Sequence, residues 1–184
     1  GTQRLRTFMA IRTNVGVETQ ITKIQDFLKA NGFFGSWPKK ENAHLTLFFF
    51  GDIDNREISV VKDLMDRIIP PFKPFSMKVS GIGLFPSKGL PRVVWLKCEG
   101  SEVLNLYEEL NVELKKHGFA FQERFTPHLT VGRLKGIPKN WGEVISKITY
   151  KPVSFECNAV ELFSSTLTHN GSVYSSVHKS IFGG

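Results

Sequence analysis

The chain has 184 residues, of which 41% are hydrophobic and 22% charged. These are ordinary globular proportions and they exclude a disordered chain, because there is enough apolar surface to form a core. No apolar run approaches the roughly 18–20 residues that a membrane-spanning helix needs, so we expect a soluble, cytoplasmic protein without a membrane partner. The formal net charge of +7 favours a phosphate-bearing ligand, although many basic proteins bind no nucleic acid.

The first half of the chain predicts a strand, a helix, a strand, a second helix and a further strand. The helices are indicated by apolar residues at three- and four-residue intervals, and the strands by runs of β-branched and aromatic residues. The predicted strands are 5–12, 44–51 and 75–87, and the predicted helices are 17–28 and 55–69.

The second half repeats this order. Its predicted strands are 92–99, 128–134, 155–165 and 172–182, and its predicted helices are 103–114 and 139–148. Both long helices end on similar text, "LKANGFF" and "LKKHGFA", with a glycine where a left-handed cap is expected. The separation is 86 residues between Leu28 and Leu114 and 84 between His44 and His128. We therefore interpret the chain as a duplication, with repeats at approximately 4–87 and 91–182.

A duplicated β-α-β-α-β-β unit predicts an α+β fold. We expect a single bilobal domain over residues 1–184, with two antiparallel or mixed sheets, helices on their outer faces and a pseudo-two-fold axis along a central groove. The halves are expected to share or exchange strands at their junction. Functional residues at equivalent positions of the two repeats would then meet across the groove.

The sequence His-Leu-Thr occurs at equivalent positions of both repeats. Strand alternation places His44 and Thr46 on one face, about 6.6–7 Å apart, and does the same for His128 and Thr130. Two imidazoles can act as a general base and a general acid at phosphorus, and threonine hydroxyls can donate to anionic oxygens. A structural role is the alternative, because a duplicated scaffold also repeats its structural residues. No suitably spaced Asp, Glu or Cys flanks either motif, so we expect neither a metal nor a cofactor.

These motifs resemble the tandem signature of the 2H phosphoesterase superfamily. The segments "RTFMAI" (6–11), "ENAHLTLFFFG" (41–51), "LPRVVWLKC" (90–98) and "FTPHLTVGRLK" (125–135) resemble bacterial and archaeal RNA 2′,3′-cyclic phosphodiesterases, also called 2′-5′ RNA ligases. The resemblance implies a bilobal α+β fold and metal-independent hydrolysis of a 2′,3′-cyclic phosphate at an RNA or nucleotide end, leaving a 2′-phosphate. It implies His44 as proton donor to the 3′-oxygen, His128 as the base that activates water, and Thr46 and Thr130 as ligands of the non-bridging oxygens.

Three further residues are candidates for substrate binding. Arg133 matches an arginine that the family places near the phosphate, but strict alternation turns it away from His128, so the strand is irregular there or the side chain reaches around. Phe48 stands where the family often has a basic residue; alternation puts it on the face of His44, where it either stacks on a base or packs in the core. Phe8 has the same two alternatives, with core packing favoured.

Other functions use the same residues. The site could act on 2′-5′ linkages, by cleavage or by ligation, or on a small cyclic phosphate metabolite, and rates on these compounds separate the possibilities. An RNA-binding module with a degenerate site is a third alternative, which binding without turnover would support. No protein partner is required, and we expect a monomer.

Overall fold

The computed structural model describes residues 3–121 and 124–183; positions 1–2, 122–123 and 184 of the predicted domain lie outside the described residues. The strands are β1 (Arg4–Arg12), β2 (Phe34–Ser36), β3 (His44–Asp54), β4 (Phe75–Phe85), β5 (Val93–Glu99), β6 (His128–Gly136), β7 (Val153–Cys157), β8 (Ala159–Thr168) and β9 (Gly171–Ile181). The helices are α1 (Val15–Ala30), α2 (Asn55–Ile68), α3 (Ser101–Lys116) and α4 (Trp141–Ser146), and a 3₁₀ turn spans Lys40–Asn42. The predicted order of elements is confirmed with two differences: the predicted strand 155–165 is two strands, β7 and β8, which lie in different sheets, and β2 is an addition that the sequence did not indicate.

Local sequence signals define the helix ends. The Asn14 side chain accepts a hydrogen bond from the Val17 backbone N–H at 3.0 Å and begins α1. Asp54 and Glu57 form a reciprocal capping box that begins α2. Gly32 and Gly118 follow α1 and α3 with φ of +90°, the left-handed conformation that the shared text predicts.

Each sheet takes strands from both sequence repeats. One sheet has the order β3-β1-β8-β9 and the other β2-β6-β5-β4-β7, and the neighbouring strands pair antiparallel. The final strands of the second repeat therefore lie beside the opening strands of the first, and β2 and β4 cross the other way. The predicted exchange of strands is confirmed, and it ties the two repeats together.

One hydrophobic cluster contains side chains from both sheets and all four helices. The sequence spacing predicts Val103, Tyr107, Leu110 and Leu114 as the buried stripe of α3. The observed stripe has Leu106 in place of Tyr107. A second, small cluster of Phe8, Ala10 and Phe163 lies on the opposite face of β1. In the part of the chain that the structure describes, no helix is long and apolar enough to cross a membrane.

Candidate active site

The two His-Leu-Thr motifs open equivalent strands, β3 and β6. In the first sheet His44 pairs with Arg12 of β1, and in the second His128 pairs with Lys97 of β5. Each threonine lies two residues further along, where the neighbouring strand contributes Ala10 in one sheet and Trp95 in the other. The two motifs thus have the same register against their neighbours.

A β-bulge follows each threonine at the same place. Met9 pairs with Phe48 but Ala10 pairs with Thr46, which leaves Leu47 as the extra residue. Val131 is the extra residue of β6 in the same way. Because a bulge adds one residue to one strand, the side chains beyond it change faces.

The bulge in β6 explains the position of Arg133. With Val131 as the extra residue, the arginine lies on the face of His128 and lines the same cleft. Of the two possibilities that the sequence left open, the structure shows the irregular strand.

Because of the bulge in β3, the Phe48 side chain points into the core and not into the cleft. This side chain is 2% exposed and stacks on Tyr107, with ring centroids 4.6 Å apart, and it packs against the tilted ring of Phe121 at 4.8 Å. The prediction that Phe48 shares a face with His44 is wrong, because Leu47 interrupts the alternation. Phe49 takes the position equivalent to Arg133, where it is 48% exposed beneath the Arg6 guanidinium.

Phe8 does not line the cleft either. It is buried against Phe163 and Tyr174, with ring centroids at 5.3 and 4.7 Å. Both of those rings contact His44, at 4.6 and 5.6 Å. Phe8 therefore packs behind the two aromatic rings that contact His44. This is the core packing that the sequence favoured for Phe8, and its alternative assignment to substrate binding is corrected.

The four motif residues line one cleft of about 400 Å³. Arg133 and Tyr174 line it as well, and the segment between β2 and β3 and the turn between β8 and β9 complete its walls. The structure thus brings together the groups that the duplication predicts to meet. Among the described residues, no three His, Cys, Asp or Glu side chains are grouped so that they could hold a metal ion.

A backbone carbonyl sets the tautomer of His128. Its Nδ1 lies 2.6 Å from the Thr126 carbonyl oxygen, which can only accept a hydrogen bond. The proton of the neutral ring is therefore held on Nδ1, and Nε2 presents a lone pair to the cleft. A lone pair is what a general base needs.

His44 presents the opposite group. Its Nδ1 is buried and has no hydrogen-bond partner within the described residues, so a neutral ring carries its proton on Nε2, where it avoids a buried unpaired N–H. Burial of the ring, followed by the positive charge of Arg12, lowers the pKa of His44 to about 4, against a weaker opposing effect of Glu161. As neutral rings, His44 therefore offers an N–H donor to the cleft and His128 an acceptor.

The chain is similar to known proteins along almost its whole length. A family model described as LigT like Phosphoesterase matches residues 12–95 and 97–174. The chain belongs to this family. It is 40% identical over 181 residues to the RNA 2′,3′-cyclic phosphodiesterase of Thermotoga maritima, covering 98% of this chain and 97% of the relative. It is 34% identical over 176 residues to the protein of the same name from Methanothermobacter thermautotrophicus, covering 93% and 95%. A crystal structure from Thermus thermophilus shares the fold, with a TM-score of 0.80 at 24% identity over 96% of this chain and 97% of that one.

In this LigT-like phosphoesterase the two histidines have different surroundings. Arg12 donates to the buried Glu161 beside His44 at two points, Nε to Oε1 at 2.5 Å and Nη2 to Oε2 at 3.2 Å. Burial acts to raise the pKa of Glu161, but hydrogen bonds from Arg12 and Ser176 outweigh it and hold the pKa below its ordinary value. The carboxylate therefore stays ionised.

Sequence reasoning missed Arg12, Glu161 and Tyr174. Arg12 had a detectable signal, because the opening strand of each repeat carries a basic residue opposite the histidine, Arg12 in one and Lys97 in the other. Glu161 and Tyr174 lie on strands that join the first sheet only through the exchange, so the repeat pattern does not indicate them.

Proposed function

We propose that this LigT-like phosphoesterase is an RNA 2′,3′-cyclic phosphodiesterase that hydrolyses 2′,3′-cyclic phosphate ends to 2′-phosphates. The observation that carries the proposal is a cleft into which one imidazole presents an acceptor and another a donor. The names of the Thermotoga and Methanothermobacter relatives support the same substrate class.

His128 is the general base of the proposed reaction. Its Nε2 accepts a proton from water while the water oxygen forms a bond to phosphorus, and the bond from phosphorus to the 3′-oxygen breaks in line. The attacking water lies on the side of His128 and the leaving oxygen on the side of His44. The product keeps its phosphate on the 2′-oxygen.

His44 is the proton donor to the 3′-oxygen. In the free protein its ring is neutral, since its pKa is about 4. A bound phosphodiester brings a negative charge that favours the protonated ring, and the ionised Glu161 acts in the same direction. The proposed proton transfer requires the ring to be protonated when the substrate is bound.

Thr46, Thr130 and Arg133 bind the non-bridging oxygens in this proposal. The hydroxyls and the guanidinium line the cleft between the two imidazoles. Charge that develops on the phosphoryl oxygens would meet donors already in position. Because one chain supplies all of these groups, we propose that the monomer is the active species, and a specific activity that falls on dilution would contradict this.

The test is hydrolysis of 2′,3′-cyclic nucleotides in the presence of EDTA by wild type, His44→Ala and His128→Ala. Each substitution should lower kcat/KM by about 10²–10⁴-fold, since each removes one proton-transfer group. His117→Ala is a matched control, because this exposed histidine caps α3 away from the cleft. Full activity in both cleft variants would overturn the mechanism, and RNA binding without any turnover in wild type would favour a binding module. Identification of the product as a 2′-phosphate or a 3′-phosphate shows whether the bond to the 3′-oxygen is the one that breaks.

A further inference from the structure

A carboxylate lies two strands away from the first His-Leu-Thr motif, in the same row across the sheet. Thr46 of β3 pairs with Ala10 of β1, and Ala10 pairs with Glu161 of β8. Glu161 accepts two hydrogen bonds from Arg12, the residue that pairs with His44. The first sheet thus places one negative and one positive side chain beside the imidazole.

The same row of the second sheet carries different chemistry. Thr130 pairs with Trp95 of β5, and Trp95 pairs with Gly83 of β4. The indole covers this glycine so closely that a Cβ there would lie 2.0 Å from the ring. The indole also contacts His128, with ring centroids 5.8 Å apart. The two repeats therefore carry the same motif but differ in the charge beside it.

The ion pair is not needed to join β1 to β8. Backbone pairing between these strands already extends from Thr7 with Ser164 to Ala10 with Glu161. Glu161 is only 5% exposed, and a buried ion pair is often no more stabilising than apolar side chains of the same volume. Because the pair lies beside a proton-transfer group, its position indicates a role in the chemistry.

The Glu161 carboxylate is held in one place. Arg12 donates to it from Nε at 2.5 Å and from Nη2 at 3.2 Å, and the Ser176 side chain donates from β9. The Arg12 Cζ lies 5.1 Å from the centre of the Phe163 ring, on which the imidazole of His44 also stacks at 4.6 Å. A charge fixed in this way acts on the imidazole without reorganisation of the side chains.

We propose that Glu161 is a positioning residue of this reaction, which sustains the protonated form of His44 when the phosphodiester is bound. The proposal rests on the proposed function and on the assignment of His44 as the donor. A fixed negative charge nearby favours an imidazolium over a neutral imidazole. Since Gly83 takes the equivalent place in the second sheet, the carboxylate also sets which of the two histidines donates the proton.

Other charged and titratable groups surround His44 and Glu161. They include Arg12 of β1, Tyr174 and Lys179 of β9, Lys39 and Glu41 of the segment between β2 and β3, and His128 and Arg133 of β6 across the cleft. Glu41 is exposed whereas Glu161 is buried, and charges interact more strongly where water is excluded. Burial of the imidazole, followed by the charge of Arg12, lowers the pKa of His44, and the Glu161 carboxylate opposes both.

The test is the pH dependence of kcat on adenosine 2′,3′-cyclic phosphate for wild type and Glu161→Gln. The amide keeps the shape of the side chain, and its carbonyl oxygen can still accept from Arg12, but it carries no charge. Activity requires a protonated His44, so kcat falls as pH rises through the pKa of His44 in the complex. Loss of the carboxylate lowers that pKa, so the alkaline limb of the profile should move to lower pH by about one unit.

The acidic limb, which reports the loss of neutral His128, should stay in place. Above the alkaline limb kcat should be about tenfold lower in Glu161→Gln, because the protonated fraction of His44 falls about tenfold for each pH unit. Glu156→Gln is the matched control, since Glu156 is an exposed carboxylate on β7 of the other sheet. Its profile should match that of wild type.

A purely structural role for Glu161 would lower kcat equally at every pH. Unmoved limbs in Glu161→Gln therefore overturn the proposal while the proposed function stands. If wild type does not hydrolyse the nucleotide, the proposed function fails and this proposal falls with it. Should Glu161→Gln not fold, Arg12→Gln gives a test of opposite sign. It removes a positive charge beside His44 and leaves the carboxylate held by Ser176, so the alkaline limb should move to higher pH, and a limb that stays or falls overturns the proposal.

Discussion

Replacement of Phe48 by alanine tests whether the bulge at Leu47 turns this residue into the core. Phe48 is 2% exposed and contacts Tyr107 and Phe121 at 4.6 and 4.8 Å. Buried Phe→Ala changes destabilise proteins by about 3–5 kcal/mol, through the lost transfer free energy and the cavity left behind. That is a large part of the roughly 5–15 kcal/mol by which domains are usually stable.

Phe49→Ala provides the matched control on the same strand. With 48% of its surface exposed, Phe49 loses about 1 kcal/mol of burial on truncation, and its contact with Arg6 contributes about 0.5–1 kcal/mol more. The free energy of unfolding should therefore fall by at least about 1–2 kcal/mol more for Phe48→Ala than for Phe49→Ala.

The assay is urea denaturation followed by circular dichroism, with midpoint and slope compared for the three proteins. An equal or larger loss for Phe49→Ala would refute the inward orientation of Phe48. A raised KM with unchanged stability in Phe48→Ala would restore the alternative that this ring stacks on a base.

Three further predictions concern the cleft and the buried thiols. The pKa of His44 is lowered to about 4, below its unfolded value, so the unfolded chain binds more protons between pH 4 and 6.5, and stability falls as pH decreases through that window. The free energy of unfolding should fall by about 1–2 kcal/mol over this window, after allowance for solvent screening of the partly exposed ring. Urea denaturation at pH 4 and at pH 6.5 should show a smaller fall for His44→Gln than for wild type. Thr46→Ala and Thr130→Ala should each lower kcat by about 10²–10³-fold, while the serine variants keep most activity; equal losses in alanine and serine variants would argue against hydroxyl donation. Burial raises the pKa of both Cys98 and Cys157 to about 12, so neither should react with a thiol reagent at pH 8 until the protein unfolds, and rapid labelling of the native protein would contradict this.

Much of the fold was predictable because its signals are local. The apolar stripe of α1, the glycines after α1 and α3, and the proline pair after α2 can be read within a few residues of each element. The repeat extends those local signals to the order of the elements. The α3 stripe was only partly predicted, because Leu106 and Tyr107 are both compatible with helical spacing and tertiary packing selects between them.

Some residues of the site could be identified from the sequence, whereas the orientation of others required the structure. His44, Thr46, His128 and Thr130 were identifiable from the sequence by itself, because a repeated chemical motif at equivalent positions needs no coordinates. The inward turn of Phe48 and the outward turn of Arg133 were not, because each follows from one extra residue in the pairing with a neighbouring strand. A one-residue change of register reverses every side chain beyond it, and strand alternation alone does not predict where that change occurs.

The differences between the two histidines were decided only by the tertiary structure. The Thr126 carbonyl sets the tautomer of His128, and the pair of Arg12 with Glu161, 149 residues apart, changes the surroundings of His44. The sequence determined that the chain carries two equivalent imidazoles. Which of them presents a donor and which an acceptor depends on burial and on contacts between distant segments, and the exchange of strands between the repeats makes the two sites unequal.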